Sequence, residues 1–314
     1  MNKAEQFYKE RFNFSSLFEH QISLWKYIHA NKFPLLLKAP TGSGKTEAVL
    51  APFLSQFVDN NFHIAPRMIY VLPMRVLVNS VAERIKRYAK EISPHISVEV
   101  QHGDVPNSPF FIADIVVTTL DQFLYGFARA SKQVGRHLDM PAGSIASSIV
   151  VFDEAHMYRD GFTFSVMRAL IEILQKSNIP FIVMTATMPE TLENSLFEDR
   201  ELFKDVKKII GNVSMNCSLK ISIEETLLYS NGYVNLSEEL LRKIKEHKTL
   251  IVLNQVKRAQ KVYEEVKTRL NLRDDQIVLL HSRFIKSDRK EHEEKAISLI
   301  PHKEDGKVVI PEGV

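Results

Sequence analysis

The sequence predicts an α/β protein of two lobes, each a mainly parallel sheet flanked by helices, with the second lobe incomplete. Three observations carry that prediction. Short apolar runs of strand length alternate with amphipathic segments of helix length, and strands that are apolar along their whole length fit a parallel sheet covered on both faces. The alternation breaks near residue 213 and then restarts. The part after the break is much the shorter, and it ends at Val314 just past a strand-like run with no helix to follow. A truncated second lobe is the expectation.

In chain order, the expected strands of the first lobe are "PLLLK" (34–38), "MIYVL" (68–72), "ISVEVQ" (96–101), "DIVVTT" (114–119), "SIVVFD" (148–153) and "PFIVMT" (180–185). Between them lie segments such as "RVLVNSVAERIKRYAKEI" (75–92), whose apolar positions fall three and four apart as on one helix face. Its "RIKRYAK" run (84–90) reads as a solvated helix face. A linker is expected near 205–220, dividing a first lobe (1–213) from a partial second lobe (214–314). In the second lobe, "ISIEETLLYS" (221–230), "TLIVLN" (249–254), "QIVLLH" (276–281) and "KVVIP" (307–311) are strand-like, with helical segments around 235–247, 256–270 and 286–300.

Bulk composition narrows the class. Hydrophobic residues are 45% and charged residues 25% of the 314, as in an ordinary soluble domain protein. No apolar run approaches the roughly 20 residues of a spanning helix, and the charged N-terminus "MNKAEQFYKERF" lacks a secretory core. The expectation is a chain with no membrane partner. A lone cysteine, Cys217, rules out an internal disulfide framework, so the cytoplasm is the expected compartment. A net charge of +3 permits nucleic-acid binding without arguing for it. Without a His-Asp dipeptide, CxxC or HExxH, no catalytic metal centre built from this chain alone is expected.

Residues 39–46 of "APTGSGKTEAVL" read A-x-x-x-x-G-K-T, a Walker A loop with Ala39 where the first glycine often stands. A strand precedes it and a helix follows, as a phosphate cradle requires. Gly42 and Gly44 let the backbone amides of the Thr41–Thr46 stretch, Ser43 among them, close around phosphate oxygens. The helix starting near Lys45 aims its positive end at the same phosphates. Lys45 is expected to reach the β and γ phosphates of ATP, and Thr46 to ligate Mg²⁺.

"VVFDEAHMY" (150–158) then delivers two carboxylates, Asp153 and Glu154, at the C-terminal end of a strand, where open α/β sheets bind ligands. Alone, such a pair is most often a helix N-terminal feature; beside a phosphate loop the catalytic reading prevails. Asp153 suits the Mg²⁺ shell, and Glu154 suits orientation and deprotonation of an attacking water, so the reaction is γ-phosphate hydrolysis. His156 alone would be structural. In D-E-A-H it resembles the signature of DEAH-type superfamily 2 helicases, and the resemblance places it in the catalytic set and implies two RecA-like lobes.

The order of motifs is similar to that family. Gln21 in "LFEHQISLWKYI" resembles its adenine-reading glutamine, with Phe14 or Phe18 as a ring partner, or is simply a polar residue on an amphipathic helix. "TATMP" (185–189) resembles the motif coupling hydrolysis to the nucleic-acid path, through Thr185 and Thr187. "LPMRVLVNSV" (72–81), "TTLDQFLYG" (118–126), "IVLNQVKRAQKVYEEV" (251–266) and "LLHSRFIKSDRKEHEEKAI" (279–297) together look most like the CRISPR-associated helicase of type I interference systems. That resemblance implies a 3′-to-5′ ATP-driven translocase on single-stranded DNA. Its partners would be a guide-RNA surveillance complex and a histidine–aspartate nuclease. With 38 residues before the phosphate loop, the nuclease is expected on a separate chain or domain. The sequence also stops before the family's Q-x-x-G-R motif, whose arginine meets the γ-phosphate. Such an arginine is worth about 10³ to 10⁵ in rate, so the chain alone is expected to bind ATP and turn it over weakly.

The resemblance also marks strand-binding residues in loops after strands: Pro73 and Arg75, then Thr119, Asp121 and Gln122, then Asn254, His281 and Arg283 in the second lobe. Arginine supplies phosphate contacts and neutral side chains supply hydrogen bonds that position a backbone without reading bases. Helix capping is the competing reading for Thr119 and Asp121, and a surface charge for Arg283. Two other functions stay open: an RNA helicase sharing the same phosphate chemistry, and an ATP-binding module with little turnover.

Overall fold

The computed structural model describes residues 3–158, 160–199, 201–212, 221, 223, 228–230, 233–299, 302–304 and 307–309. The chain divides into two compact units, Met1–Asn216 and Cys217–Val314. The first unit carries helices α1 (Lys3–Arg11), α2 (Glu19–His29), α3 (Lys45–Asp59) and α4 (Arg75–Ile92), then α5 (Leu120–Phe127), α6 (Asp139–Ala146), α7 (Gly161–Lys176) and α8 (Glu190–Leu196). Its strands are β1 (Leu35–Lys38), β2 (Arg67–Leu72), β3 (Val98–His102), β4 (Val105–Pro106), β5 (Ile115–Thr119), β6 (Ser148–Phe152), β7 (Phe181–Thr185) and β8 (Lys207–Ile210). They form one sheet in the order β4-β3-β5-β2-β6-β7-β1-β8. Every neighbouring pair is parallel except β3 with β4.

The apolar runs become central strands because alternate side chains enter two separate cores, one on each face. Leu35, Leu37, Met68, Tyr70, Ile182 and Met184 face one core, which α1 to α4 cover. Leu36, Ile69, Val71 and Val183 face the other, packed against Phe123 of α5, Ile145 of α6 and Leu170 of α7. Each such buried aliphatic side chain contributes about 1.5–3 kcal/mol. In α4 the buried residues Val78, Val81, Ala82, Ile85 and Ala89 form the expected stripe. Register matters for function: Leu72 pairs with Thr119, and Lys38 with Thr185. The loops after β1, β2, β5, β6 and β7 therefore open at one edge of the sheet.

Two features differ from the sequence expectation. The stretch assigned to the start of the linker forms β8, which pairs with β1 from Leu35↔Lys207 to Lys38↔Ile210. Its lysines serve an edge strand: Lys208 and Lys38 both pair with the buried Glu193 carboxylate, at 2.6 and 2.8 Å, fastening α8 to the sheet. In the second unit, 249–254 and 276–281 are not hydrogen-bonded strands. Leu250 and Val252 are 87% and 81% exposed, while Ile251 and Leu253 pack on a small core of Leu241, Ile244, Val262 and Val266. Only one face of this segment meets a covering layer, whereas a parallel strand needs ladder partners and two covered faces.

The other elements of the second unit are α9 (Glu238–Glu246), α10 (Val256–Leu270) and α11 (Lys286–Ser298), with strands β9 (Tyr229–Ser230), β10 (Tyr233–Val234), β11 (His302–Glu304) and β12 (Lys307–Val309). The helices fall where the periodicity places them, and α9 is capped by the Ser237 side chain accepting from Leu240 N. The expected strand at 221–230 is reduced to β9 among the described residues, and 307–311 to β12; both pair antiparallel, with β10 and β11.

A histidine cluster between α2 and the loop after α3 yields a stability prediction. His29 Nδ1 lies 3.0 Å from His63 Nε2, and His29 Nε2 lies 3.2 Å from Ser55 Oγ. Burial first, then His63 and Lys3, push its pKa down to about 4 against the opposing pull of Asp59. The unfolded histidine titrates near 6.5, so the native state resists a proton that the unfolded chain accepts. Stability is complete above pH ~6.5 and falls as the pH drops toward 4. With solvent screening at this half-buried site, the loss is on the order of 1–2 kcal/mol. Urea melts at pH 7 and pH 4.5 should show it, and His29→Gln should reduce the difference; equal midpoint shifts in both proteins would contradict it.

Candidate functional site

The loop after β1 has the backbone of a phosphate cradle. Gly42 and Gly44 take φ of +78° and +72°, a region that costs side-chain-bearing residues strain. A Cβ on Gly44 would come within 2.6 Å of Gln21 Nε2, whereas one on Gly42 would meet nothing within 4 Å. Gly44 is the N-cap of α3, so the unsatisfied amides of the first turn face the loop. Lys45 is buried and donates to the carbonyls of Ala39 and Pro40, at 3.0 and 3.2 Å. Thr41 is exposed at the rim, and the buried Ser43 hydroxyl has no hydrogen-bond partner.

Across the sheet edge, Asp153 follows β6 and is held by its backbone N–H bonding to the Val71 carbonyl, at 2.9 Å. Burial pushes its carboxyl above the ordinary range, and the Tyr70 hydrogen bond opposes that rise without cancelling it. The buried Tyr70 hydroxyl donates to Asp153 Oδ2 at 2.6 Å and shares a 3.3 Å hydrogen bond with Thr46 Oγ1. One phenol thus joins the two sequence-predicted Mg²⁺ ligands. Glu154 stands in the left-handed region, φ +51°, where the chain leaves β6 for the Ala155–Met157 turn. Such strain at a non-glycine residue is a mark of functional sites. His156 Nδ1 lies 3.3 Å from Glu154 and 3.1 Å from the Thr185 hydroxyl. The Thr185 carbonyl also accepts from Ala39 N, at 3.1 Å, so β7 touches both the cradle and the His156 turn. Thr187 is exposed, in a cavity of about 590 Å³ shared with Lys38 and His156.

The donor set suits a hard divalent cation. A hydroxyl and a carboxylate supply oxygen ligands only, and two protein ligands fit Mg²⁺, which keeps waters and substrate phosphates. Desolvation, which pushes the Asp153 carboxyl up, is also an effect that a bound cation would oppose.

Gln21 is fully buried; its Oε1 accepts from Phe18 N at 3.0 Å and its Nε2 donates to Gly44 O at 3.4 Å. It ties the start of α2 to the cradle. Phe14 packs beside Tyr8 and Phe12, which leaves the 40%-exposed Phe18, stacked on His20, as the accessible ring.

Pro73, Arg75, Thr119, Asp121 and Gln122 gather at the ends of the adjacent strands β2 and β5. Arg75 pairs with Asp104 at 3.1 Å. Thr119 is the N-cap of α5 but makes no side-chain cap bond. Gln122 donates to Asp121 at 3.0 Å and accepts from Gln101 at 3.3 Å. In the second unit, Asn254 and Arg283 are exposed. His281 is engaged instead, stacked on Phe284 with centroids 4.0 Å apart and 3.2 Å from Gln260 Nε2.

Three residues at the cradle carried no motif. Tyr70 is the one polar side chain in "MIYVL", which was the available signal. His20 Nε2 lies 3.0 Å from Ser43 O. Arg84, expected on a solvated face, donates to Thr46 Oγ1 and lies 3.7 Å from Glu47; the solvated-face reading fails for it because α4 packs across the start of α3. Tyr70→Phe keeps the ring and removes the link between Thr46 and Asp153. A hydrogen bond to a charged group is worth about 1.5–3 kcal/mol, so ATP turnover should fall at least about tenfold with unchanged circular dichroism. Turnover equal to wild type would deny Tyr70 a positioning role.

The sequence model described as DEAD/DEAH box helicase matches residues 18–195, more than half of the chain, and covers the glycine loop and the Asp153–His156 turn. The chain belongs to that family. A second model, described as CRISPR-associated nuclease/helicase Cas3, C-terminal, matches residues 245–311. Among curated relatives, the CRISPR-associated helicase Cas3 of Thermoproteus tenax is 28% identical over 292 residues, 87% of this chain and 46% of that protein. The putative CRISPR-associated nuclease/helicase Cas3 of Methanocaldococcus jannaschii is 28% identical over 297 residues, 87% of this chain and 38% of that protein. The chain therefore spans less than half the length of either relative. The crystal structure of T. fusca Cas3-ATP shares the fold, with a TM-score of 0.66 at 21% identity over 96% of this chain and 39% of that one. Among the described residues, no helix is long and apolar enough to cross a membrane.

Proposed function

We propose that this chain is the ATP-hydrolysing part of a helicase that moves 3′ to 5′ on single-stranded DNA in type I CRISPR interference. The observation that carries the phosphate chemistry is the Tyr70 hydroxyl, which holds Thr46 and Asp153 together beside the cradle. The relatives' names support the biological setting. A guide-RNA surveillance complex and a histidine–aspartate nuclease on a separate chain or domain are the proposed partners.

In this reading the cradle amides and Lys45 bind the ATP phosphates. Lys45 exchanges its two carbonyl acceptors for phosphate oxygens, trading neutral for charge-assisted hydrogen bonds. Thr46 and Asp153 would hold Mg²⁺, which would supply positive charge to neutralise the phosphates. Glu154 orients and deprotonates the water. His156 links Glu154 to Thr185 and so ties hydrolysis to the "TATMP" segment, where Thr185 and Thr187 couple it to the strand. Gln21, Ser43 and Thr41 complete the nucleotide contacts. Pro73, Arg75, Thr119, Asp121, Gln122, Asn254, His281 and Arg283 contact the strand.

ATP hydrolysis compared with single-stranded DNA, single-stranded RNA and no nucleic acid tests the reading. Greater stimulation by DNA supports it. Stimulation by RNA alone would overturn the DNA assignment and with it the CRISPR setting.

A further inference from the structure

Pro73 and Asp121, placed above on the strand path, form part of the wall of a cavity of about 520 Å³ whose described lining residues lie outside the phosphate loop. Its volume falls within the usual range for small-ligand pockets. Met74, Tyr125, Met157 and Phe162 line it, and they are 46%, 48%, 38% and 78% exposed. These side chains come from the start of α4, from α5, from the turn after Glu154 and from the first turn of α7. Tyr158 also lines it; that residue is 2% exposed, and its hydroxyl has no hydrogen-bond partner. Burial, then the Asp153 and Asp121 carboxylates, hold the phenol in its protonated form, as a donor.

Charge decides what fits. Among the described residues, the charged side chains on the cavity wall are the carboxylates of Asp121 and Asp160. They repel phosphate, so a nucleic-acid backbone stays outside. A flat, neutral heterocycle with polar edges meets thioethers and rings on its faces, and a buried phenol with a carboxylate on its edge. Arg75, 52% exposed in its side chain and paired with Asp104, follows the lining residue Met74 in the chain and acts electrostatically on the Asp121 carboxylate.

We propose that this cavity is a nucleobase pocket that takes one unstacked base from the single strand while the backbone runs past Arg75. The proposal rests on the nucleic-acid reading above. Phe162 supplies the exposed stacking face, and stacking on an aromatic side chain tolerates any base. Because the pocket shares Asp121 with the strand-binding edge and Tyr158 with the turn after Glu154, a base seated there bears on the same turn that carries the hydrolytic carboxylate.

The test uses the full chain, a short single-stranded DNA and the same phosphodiester backbone carrying abasic residues throughout, with affinities read by anisotropy. Phe162→Ala should weaken binding of the intact strand about tenfold and leave the abasic strand unchanged. Met74→Ala, at the start of α4 on the cavity wall, should act in the same direction. Equal weakening of both strands by Phe162→Ala, or wild-type binding indifferent to the loss of bases, overturns the pocket while the strand-binding reading stands. If wild type binds neither strand, the strand-binding reading fails first and the pocket with it. Normal strand binding by Phe162→Ala with loss of a protein partner would reassign the cavity to a protein side chain and overturn the proposal.

Discussion

Replacing Glu154 by glutamine is expected to lower nucleic-acid-stimulated ATP hydrolysis by about 10²- to 10⁴-fold, the usual range for loss of a general base, while ATP still binds. Glutamine keeps the shape of the side chain, so the left-handed backbone at φ +51° and the contact to His156 need not change. Asp153, Thr46 and Lys45 are untouched, which preserves the nucleotide site. Single-turnover hydrolysis beside equilibrium ATP binding checks this. The informative result is the separation of the two, with binding kept and chemistry lost. A variant that hydrolyses ATP within threefold or so of wild type would remove Glu154 from the chemistry.

Lys45→Ala should produce a different signature, with rate and ATP affinity both lowered. Its ammonium is buried against two backbone carbonyls, and it is the cationic side chain of the cradle loop itself. Removing it deprives the phosphates of their charge-assisted donor and takes away a positive charge that acts to lower the Asp153 carboxyl. Loss of one such preorganised donor costs roughly 10²- to 10³-fold in rate, and here ATP affinity should fall as well because the contact exists in the ground state. Fold should survive, since the two carbonyls left behind can bond to water. Titration with ATP at fixed Mg²⁺ distinguishes the outcomes: weakened binding with retained secondary structure is expected, and unchanged affinity would contradict the assignment.

How far the sequence could be read follows from what each element depends on. The central strands were legible because burial on both faces demands continuous apolar runs, and "MIYVL" or "SIVVF" can do little else. Strand β8 was not, because "KKII" at a sheet edge mixes charge with apolar residues, and its lysines find a purpose only once Glu193 arrives beside them. In the second unit the apolar alternation of 249–254 was real, but a pattern states what a segment could bury and not whether partners lie alongside it. The glycine loop and the Asp153–Glu154 pair could be read as a candidate site because each is local in sequence. Tyr70 and Arg84 could not: the phenol meets Asp153 across 83 residues and Thr46 across 24, and Arg84 meets Thr46 across 38. Such contacts follow from the strand order and the packing of α4 on α3, which no single stretch of sequence encodes.

The central claim is that the loop after β1, with Asp153 beside it, is an ATP·Mg²⁺ site. The most direct measurement is equilibrium binding of a fluorescent ATP analogue to the whole chain, with Mg²⁺ and then with EDTA, repeated on Asp153→Asn. Saturable binding of one nucleotide per chain, weakened by EDTA and by Asp153→Asn alike, is the result predicted. No saturable binding, or binding indifferent to both changes, would contradict it.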